Sequence, residues 1–238
     1  MSASNTAMNA STSVYATGAF WERLWRLSGV NFILFFAVAY FIYGFQPQVG
    51  ASADTLAAFY GAERLRILIA AAISGLAMLN LLWFTAALRT TLADAGRDGW
   101  GSAVTTSSTA FAAMFFLLIA VGAALAYSIA VSGAKTFAPA FNDFAWAGVV
   151  LTSFPRAMLI MSGTFGLWRA KLISNSLFAA GVAALLLVLA GGTTWTSDGF
   201  WAPEGAYSRF ISPTIGIVWI LVVTRILLAR SPATRTGW

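Results

Sequence analysis

Neither cysteine nor histidine occurs anywhere in the 238 residues. The first absence removes disulfides and thiolate metal ligands. The second removes histidine-ligated haem and imidazole acid–base chemistry. With no thiol to report on it, the redox compartment is unreadable. Charge is scarce as well: 9% of residues are Asp, Glu, Lys or Arg, against about 25% in soluble domains. That is too little to solvate a globular surface. Walker loops, dinucleotide fingerprints and nucleophile elbows are also missing.

What is present is apolar. Hydrophobic residues make up 59% of the chain, and they fall in runs near the ~20 residues needed to cross ~30 Å of hydrocarbon. The net charge of +6 comes from 14 basic residues placed singly at the ends of apolar runs. A nucleic-acid partner needs a basic stripe instead; scattered charges of this kind set membrane orientation.

The expected fold is therefore all-α: an integral six-helix transmembrane bundle in one domain, residues 28–230, with spans near 28–46, 65–88, 104–131, 144–168, 175–194 and 211–229. Residues 1–19 form an uncharged polar tail, and residues 231–238 a short cytoplasmic tail. In 20–27, Trp21, Leu24, Trp25 and Leu27 can share one face, which predicts a short helix lying in the interface. Ala51-Ser52-Ala53 has the small-x-small form of a signal-peptidase site, but the segment before it is too long and lacks a basic residue until Arg23, so no cleavage is expected. With the N-terminus inside, Arg23, Arg26, Arg89, Arg97, Arg169, Lys171, Arg225, Arg230 and Arg235 are cytoplasmic, nine in all. Arg64, Arg66, Lys135 and Arg209 are on the other side, four in all. That bias places both termini in the cytoplasm. Helix packing has small pairs four apart to use, such as Ala71 with Gly75, Gly122 with Ala126, Ser162 with Gly166 and Ala180 with Ala184.

Arg156 stands out because it lies at the midpoint of the fourth expected span. An arginine at bilayer centre costs between about 2.5 and 17 kcal/mol, depending on how it is measured. The acidic residues Glu22, Asp54, Glu63, Asp94, Asp98, Asp143, Asp198 and Glu204 all fall in loops or at span ends, so no carboxylate is expected at its depth. Pro155 frees the carbonyl of Leu151, Thr152 and Ser153 lie one turn earlier, and Asn80 and Asn31 are further polar candidates. Three readings stay open. Arg156 lines a cavity for an anionic or polar group or a water path; it closes an internal network that fixes packing; or the helix breaks at Pro155 and its depth differs. Candidate ligand-binding residues are accordingly Arg156, Thr152, Ser153, Asn80 and Asn31.

Arg64 and Arg66 read as snorkelling interfacial charges, or else as an electropositive entrance. Tyr40, Tyr43 and Trp219 read as core or belt residues. Asp94 and Asp98, beside Arg97, read as solvated loop charges. Lys135 and Lys171 lie in loops, so no lysine is placed for an intramembrane Schiff base, and no span holds paired carboxylates. No catalytic residue, cofactor or metal is expected. The function expected is binding or transport of a small amphiphile, lipid or anion around Arg156, with membrane lipids as partners. The alternative is a non-catalytic accessory subunit, in a homo-oligomer or a larger membrane complex.

Three stretches carry a resemblance: Tyr60-Gly61-Ala62-Glu63-Arg64-Leu65-Arg66 with Leu82-Trp83-Phe84-Thr85-Ala86-Ala87-Leu88-Arg89; Phe154-Pro155-Arg156-Ala157; and Phe200-Trp201-Ala202-Pro203-Glu204-Gly205-Ala206-Tyr207. Over most of 28–230 the chain resembles a family of six-helix membrane proteins of unassigned function found in high-GC Gram-positive bacteria. The resemblance implies six spans and a bacterial inner membrane. It brings no activity and no site residues. The chain departs from that pattern at Lys171-Leu172-Ile173-Ser174-Asn175, where many relatives carry Pro and Trp.

Overall fold

The computed structural model describes residues 25–132 and 135–229. The tails at 1–19 and 231–238, and residues 20–24 of the expected interfacial helix, lie outside these; Trp25 and Arg26 are helical. The described residues contain helices and no strand: α1 (Ser28–Tyr43), α2 (Ala53–Ala62), α3 (Arg64–Asp94), α4 (Asp98–Ser132), α5 (Ala138–Leu151), α6 (Ser153–Arg169), α7 (Asn175–Ala190) and α8 (Ser212–Leu228). Five rods are long and apolar enough to cross a membrane: α3, α4, α5–α6 together, α7 with its following turn, and α8 with its preceding turn. The chain has the helices of a multi-pass membrane protein. α1 is apolar but shorter, at 16 residues, or ~24 Å at 1.5 Å per residue.

The ends of these rods have local causes. Expected to reach Gln46, α1 stops at Tyr43 because Gly44 turns to φ 76° and returns its amide to the Tyr40 carbonyl. The segment read as a loop before the second span contains α2. Its N-cap is Ser52, whose hydroxyl accepts from the Thr55 amide at 3.2 Å, so the peptidase-like tripeptide is a helix start. Between α6 and α7, Lys171 at φ 56° sends its amide to the Trp168 carbonyl, and Leu172 sends its own to Leu167. This is a left-handed helix stop. Ser174 then caps α7, and Asn175 accepts from the Trp168 indole at 2.9 Å. Residues 171–175 thus form a tight reversal.

Pro155 loosens the central rod without breaking it. It has no amide for the Leu151 carbonyl, yet Thr152 still bonds Gly148 at 2.9 Å and Arg156 bonds Thr152 at 3.2 Å. Ala138–Arg169 therefore runs on as 32 residues with Arg156 near its middle. The last rod starts earlier than expected, as a π turn over Tyr207–Ile211. There Pro213 lacks the amide that would bond the Arg209 carbonyl, and the turn widens.

Long-range bonds fix the rods antiparallel. Arg26 donates to the Leu227 carbonyl at 2.7 Å and Arg97 to the Arg169 carbonyl at 3.2 Å at one end. Gln46 meets Asn142 and Arg209 at the other. Two apolar clusters fill the bundle. One joins Phe32, Leu81, Phe84, Leu88, Ile160 and Trp219, and the other, nearer the Gln46 end, joins Leu56, Tyr60, Ile67, Val121 and Leu125. Gly163 allows the closest approach within the first, since a Cβ there would lie 2.6 Å from the Trp219 ring.

Candidate functional site

Between the two clusters the packing fails to close. A cavity of about 220 Å³ opens there, reached by Phe111 from one cluster and by Tyr60 and Ile67 from the other. α1 contributes Phe36, Tyr40 and Tyr43, and α4 contributes Phe115 and Gly122. The central rod contributes Trp146, Thr152 and Arg156, and the last rod Ser208 and Arg209. Two arginines line this space, and no Asp or Glu does.

Arg156 is half-buried. Its Nε donates to the Thr152 carbonyl at 3.3 Å and its Nη2 to the Ser153 hydroxyl at 3.0 Å. Both acceptors are neutral and one turn back on its own rod. A guanidinium has five N–H donors, so donors remain for something else. No carboxylate pairs with it among the described residues. Phe36, Phe111, Arg156 and Pro213 also border a smaller apolar void of about 50 Å³ beyond, so Arg156 sits in the partition between the two.

Arg209, counted from the sequence as an orienting charge, is half-buried at the cavity's other end. Its Nη2 donates to the Gln46 carbonyl at 3.0 Å, and its guanidinium lies 4.9 Å from the Trp146 ring and 5.6 Å from that of Phe45. Its Nε is buried with no partner, as is the Tyr40 hydroxyl. Unmatched donors of this kind are costly.

The loop from Gly44 to Gly50 roofs the cavity. Fully buried Asn142 accepts from Gln46 Nε2 at 3.0 Å and donates to the Gln48 carbonyl at 2.9 Å, while the Trp146 indole donates to the Pro47 carbonyl at 2.8 Å. Asn142 and Trp146 lie four apart on one helix face, so one stripe of α5 holds much of the roof, with Asp143 accepting from the Gly50 amide at 2.9 Å. Tyr43 and Tyr60 bring their hydroxyls to 3.3 Å. Burial pushes the Tyr60 phenol above its ordinary value, with the Tyr43 hydrogen bond opposing, so this hydroxyl stays neutral and able to donate. Gly122 faces them; a Cβ there would come within 3.2 Å of the Tyr43 hydroxyl.

Of the candidates named from sequence, Thr152, Ser153 and Arg156 come together. Asn80 does not join them: its amide donates to the Leu76 carbonyl at 2.9 Å on its own helix. Asn31, on the first turn of α1, is not among the residues lining the cavity. Arg64 and Arg66 lie outside it as well. Arg64 stacks on Tyr127 at 4.4 Å, and Arg66 pairs with Glu63 at 3.6 Å. Trp219 is a core residue bonded to Thr164 at 3.0 Å. Tyr40 and Tyr43, read as core or belt, line the cavity. Arg209, Gln46, Asn142 and Trp146 were missed, although the i, i+4 pairing of Asn142 with Trp146 was a visible signal.

Compared with protein-family models, curated proteins and solved structures, the chain matches none.

Proposed function

We propose that this is a six-span protein of a bacterial inner membrane, with both termini cytoplasmic and a short interfacial helix before the first span. It binds or carries a small anionic or amphiphilic molecule in the cavity at Arg156. The observation behind this reading is the lining itself: two guanidiniums and no carboxylate. A cation at mid-depth in a bilayer needs acceptors or an opposite charge, and with no carboxylate in the lining a visiting anion would supply the charge. α1 spans in this reading despite its 16 residues, because Trp25-Arg26 and the Gly44–Gly50 loop extend it at either end. The partition at Arg156 favours binding at a closed floor; transport requires Phe36, Phe111 and Pro213 to part.

Native mass spectrometry of protein released from mild detergent tests this, comparing wild type with Arg156→Gln. A co-purifying small anion present in wild type and lost from the variant is the expected result. A protein partner or homo-oligomer of fixed stoichiometry, unchanged by the substitution, replaces the proposal with the accessory-subunit reading. That second reading draws on one observation, that both Arg156 hydrogen bonds stay within its own rod.

A further inference from the structure

We infer that the cavity's ligand is a compact organic monoanion with an aromatic body, an aromatic carboxylate being the simplest member, and not a membrane lipid. The inference rests on the anion-site reading above and narrows it by size, charge and shape.

Size comes first. The cavity holds about 220 Å³. A cavity of about 150 Å³ accepts benzene, and drug-sized ligands occupy roughly 300–1,000 Å³. A substituted benzene therefore fits, and a whole two-chain lipid is too large to be enclosed. The adjoining void of about 50 Å³ is too small for an acyl chain to continue into.

Charge comes next. Arg209 already holds the Gln46 carbonyl and the faces of Trp146 and Phe45. Arg156 has only neutral acceptors. Arg156 is the guanidinium with free donors at the aromatic end of the cavity, and a single negative charge suits it. A carboxylate suits a planar guanidinium with free N–H groups, because two parallel hydrogen bonds can form.

Shape follows from the walls. Phe36, Phe111 and Phe115 line the cavity together with Arg156, as do Tyr40 and Tyr43. Phe36 and Phe115 already pack at 5.7 Å between ring centroids. A flat ring entering this space can meet them edge to face, an arrangement aromatic pairs favour.

Equilibrium dialysis with radiolabelled benzoate tests this, using the full-length protein in nanodiscs of phosphatidylcholine. Benzamide serves as the neutral analogue, and phosphatidylglycerol and inorganic phosphate as other anions. Saturable binding of benzoate, at least about tenfold tighter than benzamide, is expected, as a charge-assisted bond warrants. Arg156→Gln should erase that preference and Arg156→Lys should keep part of it. Ile119→Trp, which fills the cavity from α4 without altering charge, should remove benzoate and benzamide alike. If phosphatidylglycerol or phosphate binds in an Arg156-dependent way and benzoate does not, the aromatic monoanion is wrong while the anion site stands. If no anion binds, or if benzoate binds unchanged in both Arg156→Gln and Ile119→Trp, the site itself falls.

Discussion

At the scale of single residues, the role proposed for Arg156 sets anion binding against stability. Its two bonds to neutral acceptors recover only part of what desolvating a guanidinium costs. An apolar replacement of similar length removes that cost, so Arg156→Met should raise the melting temperature in detergent by the equivalent of about 1 kcal/mol or more while abolishing anion binding. A packing role predicts the reverse, a lower melting temperature, because Thr152 and Ser153 would lose their partner. Arg156 was visible in the sequence because a charge inside an apolar run is conspicuous. Arg209 was not, because it sits near a span end, where a basic residue usually only sets orientation. Only the widened turn at Tyr207–Ile211 and the Gln46 carbonyl bring it into the cavity. Asn80 misled for the opposite reason: a polar residue in an apolar helix can satisfy itself on its own backbone, as it does with Leu76.

At the scale of elements, the α5 stripe and the Gly44–Gly50 roof act together. Asn142→Ala leaves the Gln48 carbonyl and the Gln46 amide without partners, which should cost about 1–3 kcal/mol. In thermal melts this appears as a lower midpoint, and Val49→Cys in that background should react faster with a thiol reagent than in the parent. An unchanged labelling rate would mean that Asp143, Trp146 and Arg209 hold the roof without Asn142. The contact of α6 with α8 is equally specific. Gly163→Ala drives a methyl into the Trp219 ring and should destabilise the bundle by about 1–3 kcal/mol, read from the same melts. The positions of the long rods were legible because apolar runs of span length have few alternatives. α2 was hidden because it is short and mixed in polarity, and Ser52 suggested a processing site more readily than a cap. The π turn before α8 depends on Pro213, whose effect on the preceding carbonyl is local and leaves no periodic trace.

At the scale of the whole molecule, the antiparallel order of the rods makes the topology testable. The natural absence of cysteine means single introduced thiols report without background. Ala58 on α2 and Ala95 beyond α3 are both exposed and lie at opposite ends of α3. In oriented vesicles, Ala58→Cys should label only from the non-cytoplasmic face and Ala95→Cys only from the cytoplasmic one. Labelling of both from one face would remove the six-span arrangement. The cavity itself could not have been read from the sequence. It exists because two apolar clusters formed by distant segments stop short of each other, and the depth at which they stop is a property of the assembled bundle.

The most direct test of the central claim, that Arg156 awaits an anion, is a thermal-shift series on wild type and Arg156→Gln in the same detergent across a panel of small organic anions. A ligand that binds only the folded state raises stability by about 2.7 kcal/mol at a hundredfold excess over its dissociation constant. Wild type should melt higher with at least one organic anion, in a concentration-dependent way, and the variant should not respond. Equal responses in the two proteins, or none in either, would contradict the account.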